Sequence, residues 1–174
     1  MRNLTIRPAD AVDMGSIARI YGHAVRFGTA SFELDPPEET EMARRYRAIE
    51  DGGYPYLVAE NDETILGYAY AAAYRARPAY RWTVEDSVYV APDAQGQGVG
   101  RALLDTLIVE AERRGFRQMI AIIGDSAQTA SIALHRAAGF RLIGALEAVG
   151  FKHRRWLDTV LMQRPLGPGA RVDP

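Results

Sequence analysis

The chain has 174 residues, of which 48% are hydrophobic and 25% charged, and its formal net charge is −1. This composition is typical of one globular domain, and the near-neutral charge gives no field that would attract nucleic acid or a membrane surface. The absence of cysteine excludes disulfides, a thiolate nucleophile and cysteine-based metal sites. We see no signal peptide and no apolar run of the roughly 18 residues that a membrane span needs, so we expect a cytoplasmic protein.

Apolar periodicity and chain-breaking residues predict strands alternating with helices. In chain order the predicted elements are a strand at Leu4–Pro8, a helix with an apolar stripe from Ile17 to Ala24, an irregular segment at Phe27–Pro37, a helix at Glu38–Ile49, strands at Tyr54–Glu60 and Ile65–Tyr74, a strand ending at Val90, a helix ending at Glu112, a strand at Met119–Ile123, a helix at Ala130–Ala138, and strands at Phe140–Gly144 and Trp156–Gln163 joined by Glu147–Arg155. The central strand–helix–strand unit implies two parallel neighbours. We therefore expect one α/β domain over residues 1–164 and a flexible, proline- and glycine-rich tail at 165–174.

A glycine-rich turn separates the central strand from the helix that follows it. Gly96, Gly98 and Gly100 occupy alternate positions, which lets the backbone turn tightly with its N–H groups unobstructed. Free N–H groups at a helix N-terminus suit a phosphate, although the glycines could also serve the turn geometry alone. The Gly-x-Gly-x-x-Gly fingerprint of dinucleotide sites fits only partly, because its third glycine position holds Arg101.

The loop Gln95–Gly100 resembles the Arg/Gln-x-x-Gly-x-Gly/Ala pyrophosphate loop of the GNAT superfamily of N-acetyltransferases. Further motifs resemble its phosphinothricin and methionine sulfoximine acetyltransferase branch, namely Trp82–Val90, Ile123–Ser126, Ala130–His135 with Gly139-Phe140, and Gly150–Asp158. The resemblance before residue 82 is weaker and rests on Thr29–Glu33 and Arg75–Arg77. It implies a single-domain α/β fold, with a mixed central sheet of about seven strands flanked by about four helices.

The resemblance implies acetyl-CoA as co-substrate. The glycine loop would hold the pyrophosphate through backbone N–H groups, and the pantetheine would pair with the preceding strand. The residues implied to contact acetyl-CoA are Val88, Tyr89, Val90, Gln95, Gly96, Gln97, Gly98, Val99, Gly100, Arg101, Gln128 and Ser131. Gln128 stands where this branch usually carries asparagine. We expect no metal, because the histidines are scattered and the acidic residues match no ligand spacing.

Two residues are candidates for the proton transfers of acetyl transfer. Glu85 is the candidate base that deprotonates the amine, directly or through a water, since burial beside aromatic residues would raise its pKa towards the working pH. Its alternative role is a strand-end carboxylate paired with an arginine. Many relatives carry a tyrosine that protonates the leaving thiolate. The comparable position here is His135, which could act as that acid or be a structural histidine.

Arginines before the central strand are candidates for substrate recognition. An amino-acid-like substrate carries a carboxylate, and its analogues carry a sulfone, sulfoximine or phosphinate, all of which suit guanidinium forks. Arg75 and Arg77 match the substrate arginines of the branch, whereas plain surface charges are the alternative. The predicted substrate contacts are Phe32, Glu33, Arg75, Ala76, Arg77, Glu85, Asp86 and Ser87.

Together these features predict an enzyme that moves acetyl from acetyl-CoA directly to the α-amine of a small amino-acid-like compound. Direct transfer follows from the missing cysteine, since no thiol can carry the acetyl group. Acetylation of a protein N-terminus or an aminoacyl-tRNA is the alternative within enzymes, and a catalytically silent acyl-CoA-binding module is the alternative outside them. The resemblance also implies a homodimer, and we expect no nucleic-acid or membrane partner.

Overall fold

The computed structural model describes residues 4–62 and 64–174, so that residues 1–3 of the predicted domain and Glu63 lie outside the described residues. Seven strands and four α-helices occupy the described part of the chain. The strands are β1 (Thr5–Pro8), β2 (Tyr56–Asn61), β3 (Thr64–Ala73), β4 (Thr83–Val90), β5 (Gln118–Gly124), β6 (Arg141–Lys152) and β7 (Arg155–Pro165). The helices are α1 (Met14–Phe27), α2 (Glu39–Asp51), α3 (Val99–Arg113) and α4 (Thr129–Ala137).

All the strands belong to one mixed sheet in the order β1-β2-β3-β4-β5-β7-β6. Only the central pair, β4 and β5, is parallel, and the other neighbours pair antiparallel. Helix α3 makes the crossover between the two parallel strands, as the pattern of the central unit predicts. The predicted fold class is therefore confirmed.

Helix α3 fixes the geometry of the central turn. Leu103, Leu104 and Leu107 recur at helical spacing and are fully buried against the sheet. Burying each such leucine contributes about 1.5–3 kcal/mol, which anchors the helix with its N-terminus at the edge where β4 ends. Within residues 4–62 and 64–174, the helices lack the combined length and apolar character that crossing a membrane requires.

The last hairpin differs from the sequence prediction. The pattern predicts a connection at Glu147–Arg155, but β6 continues to Lys152, and the chain reverses at His153 and Arg154, whose φ angles are +50° and +62°. The register shifts after Leu146, because a β-bulge absorbs the extra residues. The prediction is wrong here because β6 is exposed along nearly all its length and so lacks the in–out burial pattern that identifies strands.

The residues that follow β7 begin with a buried contact. Leu166 is fully buried, and its backbone N–H donates to the carbonyl of Arg117 at 2.9 Å. Turns and bends then continue to residue 172. The flexibility of the tail at 165–174 stays a prediction.

Candidate active site

The parallel strands β4 and β5 separate halfway along β4. They pair from Thr83–Gln118 to Asp86–Ala121, and among the described residues no pairing joins residues 87–90 to β5. The outer half of β4 therefore leaves backbone N–H and C=O groups unpaired on the side of the gap. An extended ligand that carries amides can pair with such a strand as an added strand.

Two adjoining cavities open at this gap and share Ser87 and Tyr89. The larger, of about 440 Å³, brings together the predicted residues Phe32, Glu33, Glu85, Ser87 and Tyr89. The smaller, of about 50 Å³, brings together the predicted residues Asp86, Ser87, Val88, Tyr89, Ser131 and His135. The predicted residues that line neither cavity are Arg75, Ala76, Arg77, Val90, Gln95, Gly96, Gln97, Gly98, Val99, Gly100, Arg101 and Gln128.

Glu85 faces the larger cavity from β4. Its side chain is half-buried beside Tyr21, Tyr70 and Tyr89, which line the same cavity. Burial raises the pKa of Glu85, the negative charge of the adjacent Asp86 raises it further, and the charge of Arg75 opposes the rise. A carboxylate in this setting can accept a proton from an amine nearer to neutral pH than an exposed glutamate can.

Asp86 and His135 form a buried pair at the smaller cavity. His135 Nε2 lies 2.9 Å from Asp86 Oδ2, and His135 Nδ1 lies 2.8 Å from the carbonyl oxygen of Ser131. Because a carbonyl only accepts, Nδ1 carries a hydrogen, and the contact with Asp86 holds a second proton between ring and carboxylate. Burial lowers the pKa of His135, but the hydrogen bond and charge of Asp86 outweigh it, so that the pKa is raised. The pair thus shares one proton beside the gap between β4 and β5. The catalytic role of His135 stays a prediction.

The glycine loop has the backbone shape that only glycine adopts readily. Gly96 and Gly98 have φ angles of +72° and +84°, in the left-handed region that other residues rarely enter. Gly98 precedes α3 and has no side chain that could cap the helix. The first hydrogen bond of the helix runs from the N–H of Ala102 to the carbonyl of Gly98 at 3.0 Å. The preceding N–H groups of the first turn have no intrahelical partner, so this end of α3 suits a phosphate.

The irregular segment between α1 and α2 forms one side of the larger cavity. Glu33 Oε1 accepts hydrogen bonds from the hydroxyl of Tyr21 at 2.9 Å and from Arg45 at 2.6 Å. Ser31 Oγ lies 2.9 Å from the same tyrosine oxygen, and burial raises the pKa of Tyr21 to about 12. Phe32 lines the same cavity, with 37% of its surface exposed. The segment thus contributes one aromatic and several polar groups.

Asp125 ties this segment to the end of β5. It is buried, has a φ angle of +70°, and accepts hydrogen bonds from Thr29 at 2.8 Å and from Arg155 at 2.5 Å. Burial would raise the pKa of Asp125, but hydrogen bonds from the backbone of Ala127, from Thr29 and from Arg155 outweigh it and lower the pKa. Gln128, a predicted acetyl-CoA contact, donates to Thr29 Oγ1 at 3.0 Å.

The predicted substrate arginines lie outside both cavities. Arg75 is exposed, and its guanidinium carbon lies 4.7 Å from the centre of the Tyr74 ring. Arg77 is exposed as well and precedes a short 3₁₀ helix at Pro78–Tyr80. Of the two, Arg75 is the one whose positive charge opposes the rise in the pKa of Glu85. Their contact with a substrate stays a prediction.

Several cavity-lining residues are absent from the sequence prediction. They are Tyr21, Ala30, Ser31, Tyr70, Ile122, Gly124 and Thr159. The alternation of Tyr68 and Tyr70 on one strand face is a signal that could have identified Tyr70. No local signal exists for Thr159, because it reaches the cavity through antiparallel pairing with Gly124. Within residues 4–62 and 64–174, no three His, Cys, Asp or Glu side chains group as metal ligands do.

These features suit acyl transfer to an amine from a phosphate-bearing, amide-containing donor. A model of the acetyltransferase (GNAT) family matches residues 18–140. The chain is 59% identical over 165 residues to a phosphinothricin N-acetyltransferase of Alcaligenes faecalis, covering 95% of this chain and 84% of that one. It is 41% identical over 170 residues to an L-methionine sulfoximine/L-methionine sulfone acetyltransferase of Salmonella typhimurium, covering 98% and 99%.

A solved structure shares the whole architecture. The phosphinothricin acetyltransferase of Sinorhizobium meliloti, in complex with acetyl-CoA, superimposes with a TM-score of 0.95 at 52% identity, covering 98% of this chain and 92% of that one. The predicted resemblance is confirmed by these matches. The chain belongs to the acetyltransferase (GNAT) family.

Proposed function

We propose that this acetyltransferase moves acetyl from acetyl-CoA directly to the α-amine of a small amino-acid-like compound of the phosphinothricin, methionine sulfoximine or methionine sulfone type. The observation that carries the proposal is Glu85, a half-buried carboxylate with a raised pKa that lines a cavity of about 440 Å³ at the gap between β4 and β5. The names of the relatives described above support this substrate class. A cavity of this volume suits a small amine.

Glu85 and His135 would move the protons of the reaction. Glu85 accepts a proton from the substrate ammonium, directly or through a water, and passes it to solvent. As the free amine attacks the thioester carbonyl and forms the C–N bond, Glu85 accepts the second proton that the nitrogen loses. A backbone N–H of β4 faces the developing oxyanion, an interaction worth about 2.7–4 kcal/mol. As the C–S bond breaks, the thiolate takes a proton from His135, which Asp86 keeps protonated. No cysteine is present to carry the acetyl group.

Different parts of the chain would bind acetyl-CoA and the amine substrate, on two sides of the gap between β4 and β5. The glycine loop and the first turn of α3 would hold the pyrophosphate, and residues 88–90 would pair with the pantetheine. Glu33 and Glu85 place two carboxylates around the larger cavity, which favours an ammonium. Arg75 and Arg77 would meet the acidic group of the substrate.

We also propose a homodimer built on the edge strand β6. Apolar side chains that stay exposed on this strand and at the start of β7 are Leu142, Ile143, Leu146, Val149, Phe151 and Trp156. A long, exposed, apolar edge strand tends to pair with another chain, and a second copy supplies a matching surface. The cytoplasmic location remains a prediction.

A thiol-release assay with acetyl-CoA tests the substrate class. The panel contains methionine sulfone, methionine sulfoximine, phosphinothricin and a set of peptides with free N-termini. We expect turnover with the amino-acid analogues. Turnover with the peptides alone would refute the small-substrate proposal and favour acetylation of protein N-termini, and acetyl-CoA binding without any turnover would favour a silent acyl-CoA-binding module.

A further inference from the structure

The hairpin between β6 and β7 touches the irregular segment that closes the larger cavity. We call residues 28–33 the wall segment, since Ala30, Ser31, Phe32 and Glu33 all line that cavity. Residues 29–33 of the wall segment belong to no helix or strand, so other elements must satisfy their buried backbone groups. Two residues of the sequence motif that runs from Gly150 through the hairpin, Lys152 and His153, bind backbone carbonyls of the wall segment.

Lys152 provides a buried contact to the wall segment. It is the single lysine of a chain with 21 basic residues, and only 4% of its surface is exposed. Its Nζ donates to the carbonyl oxygen of Ser31 at 2.7 Å. Burial lowers the pKa of Lys152, and the charge of Glu33 opposes this change. Burying an ammonium is costly, and the hydrogen bond to the Ser31 carbonyl offsets part of that cost.

Two glycines form a slot for the ring of Phe32. A methyl group added at Gly150 would overlap the ring, with Phe32 Cδ2 at 2.6 Å. A methyl group added at Gly124 would lie 2.8 Å from Phe32 Cε1 and 2.6 Å from the carbonyl oxygen of Thr29. Real Cβ atoms do not approach other atoms this closely. The ring therefore rests directly on sheet backbone, in a place that exists because both side chains are missing.

Further contacts hold the N-terminal part of the wall segment. His153 Nε2 donates to the carbonyl of Gly28 at 3.1 Å. Asp125 accepts from Thr29 in the wall segment and from Arg155 in the hairpin, at 2.8 and 2.5 Å. The hairpin thus reaches the wall segment at both ends, with Lys152 at the end nearest to Phe32.

We infer that Lys152 is a positioning residue for the amine substrate, which fixes the wall segment so that Phe32, seated on Gly124 and Gly150, packs against the substrate's apolar side chain. The inference rests on the proposed function, because it assigns the larger cavity to the amine. The glycine loop and α3 make none of these contacts, so a loosened wall should weaken binding of the amine and leave binding of acetyl-CoA unchanged.

Two matched pairs of variants test this inference in the full-length chain. Lys152→Met removes the ammonium and keeps most of the stem, and Arg154→Met removes an exposed cation at the turn of the same hairpin. Gly150→Ala displaces the Phe32 ring, and Gly144→Ala makes the same change on the same strand where no atom lies within 4 Å. KM is measured for L-methionine sulfone, phosphinothricin and acetyl-CoA, and amide hydrogen exchange is followed in residues 28–33.

We expect Lys152→Met and Gly150→Ala to raise both amine KM values about 10- to 100-fold, the effect of misplacing a binding group by about 1 Å. The KM for acetyl-CoA and both control variants should stay near the wild-type values. Exchange in the wall segment should quicken at least about tenfold in Lys152→Met, as expected for losing one charge-assisted hydrogen bond. Unchanged amine KM values with unchanged exchange would overturn the inference, and so would an equal rise in the KM for acetyl-CoA.

The test stays decisive if Lys152→Met does not fold and if the wild-type chain is inactive on both amines. If Lys152→Met does not fold, the comparison of Gly150→Ala with Gly144→Ala decides, because neither change unpairs a buried charge. If the wild-type chain acetylates neither amine, the proposed function fails on its own. Amide hydrogen exchange in residues 28–33 is then compared between Lys152→Met and Arg154→Met. Equal protection in the two variants would refute the role of Lys152 in holding the wall segment.

Discussion

Replacing Glu85 with glutamine tests the proposed chemistry most directly. Glutamine keeps the shape of the side chain in the larger cavity but cannot accept a proton. Because burial and the charge of Asp86 raise the pKa of Glu85, the wild-type enzyme should lose activity as the pH falls through that raised value. The acidic limb of the pH profile of kcat/KM should disappear in Glu85→Gln.

The expected loss follows from the environment of the carboxylate. A positioned general base contributes about 10²- to 10⁴-fold to the rate, equivalent to about 3–5 kcal/mol of transition-state stabilisation. The raised pKa makes Glu85 a stronger base than an exposed glutamate, which places the expected loss of kcat/KM above about 10³-fold at neutral pH. The midpoint of thermal unfolding should not fall, because glutamine removes a half-buried charge that Asp86 repels.

Steady-state kinetics from pH 5.5 to 9 with methionine sulfone measure the loss of kcat/KM and the acidic limb of its pH profile. Calorimetry measures the affinity for acetyl-CoA. Glu38→Gln is the matched control, since Glu38 is an exposed glutamate just before α2. Acetyl-CoA affinity should be the same in all three proteins. The reasoning would be refuted if Glu85→Gln kept kcat/KM within a few-fold of wild type, or kept the same acidic limb.

Four further predictions concern other parts of the site and the edge strand β6. The pKa of His135 is raised in the folded chain, so its contribution to stability is full below the ordinary value of 6.5 and is lost as the pH rises through the raised value. His135→Gln should therefore lower the unfolding temperature more at pH 5.5 than at pH 9, and an equal loss at both would contradict the charged pair. Replacing Arg75 and Arg77 with alanine should raise the KM for the amino acid at least about tenfold more than that for acetyl-CoA, and equal rises would argue against a substrate role. Gly98→Ala forces a φ of +84° on a residue with a side chain, and we expect a several-fold higher KM for acetyl-CoA with the amine KM unchanged, whereas an unaffected KM would exclude this loop from the cofactor site. Leu146→Lys should shift the sedimentation of the chain from dimer to monomer, and a dimer that persists would remove β6 from the interface.

The central unit could be predicted because its signals are local. The strand that ends before Pro92, the glycines with positive φ and the leucines at helical spacing lie within one continuous stretch. Each of these features determines the backbone of its immediate neighbours. The strand β6 carries no such signal, since its conformation depends on pairing with β7 and its exposed side chains show no alternation of burial.

The residues of the candidate site also differ in how far local sequence patterns could predict them. Glu85, Asp86, Ser87 and His135 lie in motifs with local patterns, and the structure places them around the two cavities. The contact of Lys152 with Ser31 joins residues 121 positions apart, and no periodicity records such a contact. The sequence therefore predicted more of the proposed proton-transfer groups than of the contacts that hold the wall segment.

The slot beneath Phe32 changes how substrate preference in this chain should be redesigned. The position of the ring depends on two places in the sheet where a side chain is missing, and Gly150 does not itself line the larger cavity. A variant library restricted to the residues that line the larger cavity would never sample Gly150. Substituting alanine for Gly150 would displace the Phe32 ring and so reshape the cavity from behind, without replacing any residue that lines it.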